Sequence, residues 1–199
     1  MGAIMEKLIC VYCSSSDAVN PDFFNLTKEL GRMIAENNYG LVYGGGNIGL
    51  MGTLARSVKD NNGKVIGVIP RALHEKGLSF KDADKLIIAK DLRERKAIME
   101  EYAHAFISLP GGFGTLEEIL EILTLKQLKF HNKAIVFLSC RNFFKPLREL
   151  FDHIYTEKFA KEDYKKLYCF TDNIKTVFDY IDQYKPVKLK DKWFSKSEY

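Results

Sequence analysis

The chain predicts an α/β fold: a doubly wound parallel sheet in a three-layer α/β/α arrangement, formed as a single domain over residues 1–199. Three observations carry that expectation. Short apolar runs rich in Val, Ile and Leu alternate with helix-period segments along most of the chain. Those runs are continuous rather than alternating in polarity, as in strands covered on both faces. Two glycine clusters each follow an apolar run and open a helical segment, where an open parallel sheet places its ligand loops.

The elements follow in order. A first strand is expected over 7–13. Asn20-Pro21 supplies a cap and a first-turn proline for a helix over 22–37, closed by Asn38 and Gly40. A strand over 41–43 leads through the first glycine cluster into a helix over 49–60. Strands over 64–69 and 85–89 come next, the latter read as an edge or isolated strand. A helix over 92–103, a strand over 105–109 and a helix over 115–129 surround the second glycine cluster. The pattern closes with a strand over 133–138 and helices over 143–158 and 174–183. From about 184 the chain reads as a tail, with basic residues clustered between Lys185 and Lys196.

Composition narrows the function classes. The chain is 46% hydrophobic and 28% charged, with a net charge of +4. That excess is too mild and too scattered to argue for a nucleic-acid partner, and the basic tail reads as solvated. No apolar stretch has the length of a membrane span, and no signal peptide is evident. Four cysteines, Cys10, Cys13, Cys140 and Cys169, are too few for a disulfide framework, so a reducing cytoplasm is expected.

The glycine clusters carry the chemistry. Gly44-Gly45-Gly46-Asn47-Ile48-Gly49 satisfies G-x-G-x-x-G in a strand–turn–helix context. A dinucleotide site also needs an acidic residue after the next strand, which here ends Val68-Ile69-Pro70-Arg71. The second cluster, Pro110-Gly111-Gly112-Phe113-Gly114-Thr115, opens a helix whose first turns carry Glu117 and Glu118. Such a loop turns amides toward an anion, and the helix dipole favours it. The Lys of a Walker A loop is missing, which argues against triphosphate hydrolysis. One such cluster would read as a tight turn; two make a phosphate site the better reading.

Carboxylates beside an anion site suit ribose chemistry, where one can stabilise an oxocarbenium-like transition state or activate water. They also suit an ordinary helix N-terminus, which favours acids. The run Arg93-Glu94-Arg95-Lys96 opposes its own helix dipole. An anionic partner explains that violation, and a charged solvent face explains it equally well. Ser14-Ser15-Ser16, after the first strand, lies where it can line a ligand pocket or cap a helix. Cys10 and Cys13 fall within a strand and face opposite ways, so the C-x-x-C reads as buried small residues. The four histidines lack metal-ligand spacing, and no metal or cofactor is expected.

At these residues the chain resembles a known family. Pro110 to Glu118 completes the pattern P-G-G-x-G-T-x-x-E, and Arg95-Lys96 supplies its partner motif; together they are similar to the LONELY GUY (LOG) family of cytokinin riboside 5′-monophosphate phosphoribohydrolases. The triple glycine, Gly49-Leu50-Met51-Gly52 and the opening Cys10-Val11-Tyr12-Cys13-Ser14-Ser15-Ser16 extend the likeness to around Gln183. The resemblance implies a Rossmann-like fold, a homodimer, and hydrolysis of a nucleoside 5′-monophosphate to free base and ribose 5-phosphate. It implies Arg95 and Glu118 as the catalytic pair. For substrate binding it implies Lys96, Gly111, Gly112, Phe113, Gly114, Thr115, Glu117 and Thr124, with Gly45, Gly46 and Ser14 from the earlier loops. A non-catalytic nucleotide or cofactor carrier on the same fold is the competing expectation. The chain departs from the pattern at Leu92, where the family has Met, and at Ser14, where it has Gly. It departs again at Lys129-Phe130-His131-Asn132-Lys133-Ala134, against Gly-Ile-His-x-Lys-Pro.

Overall fold

The computed structural model describes residues 7–188; the N-terminal residues before Lys7 and most of the basic tail lie outside it. Among the described residues seven strands form one parallel sheet: β1 Leu8–Tyr12, β2 Gly40–Tyr43, β3 Val65–Pro70, β4 Lys85–Ala89, β5 Ala103–Ser108, β6 Ala134–Leu138 and β7 Cys169–Thr171. Their spatial order is β4-β3-β2-β1-β5-β6-β7, so the chain winds outward from β1 to β4 and then returns to β1's other side. The break in winding lies between β1 and β5, and ligands of such sheets bind beyond the carboxyl ends there.

Side-chain alternation sorts the core into two layers. Ile9, Val11 and Cys13 face α1 Pro21–Glu36, α2 Gly49–Asp60 and α7 Ile174–Asp182, meeting Leu30, Leu54, Val58 and Phe178. Leu8, Cys10 and Tyr12 face α4 Leu92–Tyr102, α5 Phe113–Gln127 and α6 Lys145–Thr156, meeting Met99, Ile119, Ile122 and Phe151. The two cysteines therefore point to opposite faces, both buried. The central strands are buried throughout, while β4 is half open, as its edge position requires.

Where the elements differ from expectation, the causes are local. α1 starts at Pro21 because Asn20 accepts from Asp22 N, one residue ahead of the helix as expected from sequence. A single-turn helix, α3 Arg71–His74, and a 3-10 segment, Glu162–Leu167, are too short to show a period. The three-residue β7 is equally silent in sequence, yet it pairs with β6 and forms the second edge. α5 begins at Phe113, two residues early, and Lys129 at φ 68° lies just beyond its end.

One buried cation ties α5 to the 3-10 segment. Lys126 is 2% exposed; its Nζ donates to Leu167 O at 2.6 Å and lies 4.6 Å from the centre of the Tyr184 ring. Burial lowers its pKa to about 7 from the usual 10.5. Between those two values the unfolded chain binds the proton and the folded chain does not, so stability rises with pH across that window. Denaturant titrations at pH 6.5 and 9.5 are expected to show this gain in the wild type and to show it largely removed in Lys126→Met.

Candidate active site

The site assembles at the carboxyl end of β5. Leu109 N donates to Tyr12 O at 2.9 Å, which fastens the strand end to β1 before the Pro110 loop departs. Gly112 caps α5 without any side-chain hydrogen bond, so the amides of the first turn keep no capping partner. Gly112, Phe113 and Gly114 are exposed, Phe113 at 93%, whereas Thr115 is buried. Gly111 has to be glycine, because a Cβ there would stand 2.1 Å from Thr115 Oγ1. The result is an open helix N-terminus with its threonine turned inward, a geometry suited to an anion.

Above it, Glu118 and Arg95 form a buried ion pair, Nη1 to Oε1. Arg95 Nε also donates to Val68 O at 3.1 Å, which anchors the guanidinium to β3. Burial raises the Glu118 pKa; the Arg95 charge opposes that shift, Glu117 adds to it and Lys96 subtracts. A buried carboxyl held above its ordinary range beside a specific charge partner is a common mark of a working group.

Lys96 bridges two acids of α5, Glu117 and Glu121, the latter at 2.5 Å. Its burial lowers its pKa, but the two carboxylates outweigh that and the net shift is upward. Arg95 and Lys96 are thus turned away from solvent, whereas Arg93 of the same run is exposed. Asp91 caps α4 by accepting from Arg93 N and Glu94 N, both at 2.9 Å, which offsets the unfavourable dipole. Arg95 and Lys96 then turn inward and find acids one helix away.

The first glycine cluster lies on the other side of Arg95 and is buried throughout Gly44, Gly45 and Gly46. Gly45 O accepts from Phe80 N at 2.9 Å and Gly46 O from Tyr43 Oη at 3.1 Å, so these carbonyls are committed within the protein. A Cβ on Gly44 would stand 2.0 Å from Arg95 Nη2. Gly44 is therefore the position that admits the guanidinium, and sequence reasoning passed it over in favour of its two neighbours. Ser14 sits at the end of β1, where its hydroxyl accepts from Ser16 N and its carbonyl from Met51 N. Asp17, also unremarked in sequence, accepts from Gly49 N at 2.9 Å and holds the start of α2 to this loop.

The structure brings together Arg95, Lys96, Gly111, Gly112, Thr115, Glu117 and Glu118. It does not bring Thr124 to them. Thr124 donates to Leu120 O at 2.8 Å and lines a separate apolar cavity of about 270 Å³ between α5, α6 and the 3-10 segment. Among the described residues no group of three or more His, Cys, Asp or Glu is placed to hold a metal, and no helix is long and apolar enough to cross a membrane.

Comparison with known proteins places the chain in a family. Residues 51–181 match the family described as possible lysine decarboxylase. A cytokinin riboside 5′-monophosphate phosphoribohydrolase of Arabidopsis thaliana is 34% identical over 191 residues, covering 94% of this chain and 84% of the relative. One from Oryza sativa subsp. japonica is 36% identical over 180 residues, covering 90% and 74%. Among solved structures, a molybdenum cofactor binding protein from Rippkaea orientalis superposes with a TM-score of 0.69 at 20% identity, over 89% of this chain and 96% of that one. The molybdenum cofactor carrier protein of Chlamydomonas reinhardtii gives 0.68 at 20%, over 89% and 97%. At that identity the likeness speaks for the Rossmann-like fold alone. The sequence matches reach further, and on them the chain belongs to the LOG family, whose relatives are named as cytokinin riboside 5′-monophosphate phosphoribohydrolases.

Proposed function

We propose that this chain hydrolyses the N-glycosidic bond of an adenosine 5′-monophosphate, plain or N6-substituted, to release the free base and ribose 5-phosphate. The observation that carries the reading is the buried Arg95–Glu118 pair standing beside the uncapped N-terminus of α5. The amides of Gly112, Phe113 and Gly114 receive the 5′-phosphate, with the helix dipole behind them. Glu118 faces the ribose, where its carboxylate stabilises positive charge at the anomeric carbon or takes a proton from the attacking water. Arg95 holds that carboxylate in place and limits its pKa. Lys96 fixes Glu117 and Glu121, which keeps their charge from opposing the phosphate. Gly45, Gly46 and Ser14 support this arrangement from the neighbouring loops. Thr124, the Phe113 side chain and a homodimer enter the reading through the family resemblance, and a reducing cytoplasm through the few, dispersed cysteines.

A panel of adenine nucleosides, monophosphates and diphosphates, read by base release, tests the reading. The phosphate is bound away from the reacting bond, so its contribution should appear in the rate as well as in binding. Monophosphates are expected to be cleaved at least about 100-fold faster than the corresponding nucleosides. Equal rates for the two, or a Glu118→Gln variant as fast as wild type, would sink the idea. Tight AMP binding without any ribose 5-phosphate would identify a carrier instead.

A further inference from the structure

Tyr12 ends β1 beside the break in strand winding, opposite Ser108 of β5. It is 1% exposed, and its ring lies parallel to that of Phe106 at 6.3 Å. Phenylalanine would serve that packing as well. The hydroxyl is what needs an account, because it is buried and hydrogen-bonds to no oxygen or nitrogen. A polar group on its own strand face is the Cys10 thiol, a weak partner. Burying a hydroxyl without a partner disfavours the folded state, so an empty one calls for an explanation.

Its position supplies one. The strand face of Leu8, Cys10 and Tyr12 packs with Met99, one turn beyond Arg95, and with Ile119 and Ile122, which follow Glu118. β1 thus touches both α4 and α5, the helices that carry the ion pair, on the face where the phenol is buried. Burial pushes its pKa well above the usual 10, the neighbouring Cys10 thiol raises it further, and the Glu118 charge adds to this while Arg95 lowers it. At neutral pH the group is a neutral hydroxyl with a proton to donate. Arg95 engages Glu118 at Oε1, which leaves Oε2 as the acceptor.

We infer that Tyr12 is a positioning residue for the reaction proposed above, its hydroxyl donating to Glu118 Oε2 once a bound sugar phosphate draws the Arg95 guanidinium toward itself. The pair then loosens without leaving the carboxylate alone in a buried site. The inference rests on the phosphoribohydrolase reading. A donor to the ionised form lowers a carboxyl pKa, so loss of the hydroxyl must raise that of Glu118. The charged groups acting on Glu118 are Arg95 and Lys96 from α4 and Glu117 on its own helix, and its own charge reaches the Cys10 thiol and, on the opposite sheet face, that of Cys13. Burial pushes the Cys10 thiol up to about 12 and that of Cys13 higher still, so both stay neutral. None of these groups changes in the substitution.

The test is Tyr12→Phe, followed by base release from AMP across pH and by thermal unfolding. With the hydroxyl gone, kcat is expected to fall about tenfold with KM little changed. The acidic limb of the rate profile should move up by about one pH unit. Tm should hold or rise, because a buried hydroxyl without a partner has been removed. A variant with wild-type kcat and an unmoved acidic limb overturns the inference, as does a lowered Tm with an unmoved limb. Those results leave the phosphoribohydrolase reading intact. A wild-type chain that releases no base from any nucleoside monophosphate defeats that reading, and the inference falls with it.

Discussion

Arg95→Ala is expected to lower base release by about 10³-fold or more and to destabilise the fold by about 3–5 kcal/mol. Both effects come from Glu118. It is 9% exposed, and burial already lifts its pKa against the pull of the guanidinium. Without Arg95 the carboxylate would lose its ion-pair partner among the described residues and leave the ionised form that the proposed chemistry needs. Breaking one side of a buried pair costs more than removing both, because the survivor stays desolvated. Arg95→Met combined with Glu118→Leu should accordingly recover most of the lost stability and none of the activity. Denaturant unfolding and base release on the single and double variants check this. A single variant as stable as wild type, or a double variant no more stable than the single, would count against the pair as described.

Gly44→Ala should separate the two effects. The added methyl would stand 2.0 Å from Arg95 Nη2 and 3.1 Å from its Cζ. Gly44 does not lie in the left-handed region, so the backbone accepts alanine without strain. What must move is the end of a long side chain, and the expected stability cost is modest, roughly 1–2 kcal/mol. The guanidinium is held by Val68 O on one side and by Glu118 on the other, so displacement breaks the alignment of the carboxylate. A shift of that size in a positioning group is expected to lower kcat/KM about 100-fold. The check is kcat/KM set against Tm: activity should fall far more than stability. Retention of activity within a few-fold would show that the guanidinium tolerates another position.

Much of the site was legible before any coordinates. The Pro110-Gly111-Gly112 loop and Glu118 declare themselves because a strand-terminal glycine run opening an acidic helix has few other uses. Arg95 and Lys96 were ambiguous in sequence, since basic residues in a first helical turn suit a ligand or solvent equally. The packing of α4 against α5 removes the solvent reading, by placing Glu118, Glu117 and Glu121 opposite them. Glu121 was recoverable in principle, one helical turn from Glu117 on the same face. Gly44 was not, because its requirement comes from a side chain 51 positions later in the chain (95 − 44). Tyr12 read as strand core, and in packing it is. Nothing local distinguishes a hydroxyl that lacks a partner. The strands came through wherever continuous apolar runs were long enough, and β7, with three residues, was not.

The place of β1 in the sheet has a consequence for how the protein is made. β1 pairs with β2 on one side, within the first 43 residues, and with β5 on the other, beginning at residue 103. A chain leaving the ribosome therefore carries a fully buried, apolar strand with one unpaired edge until Ala103–Ser108 has emerged. That open edge is a template for wrong pairing, and non-local closure of this kind is slow. The same event that seals the edge carries the Pro110 loop and Glu118 to the end of β1, so protection from aggregation and assembly of the site arrive together.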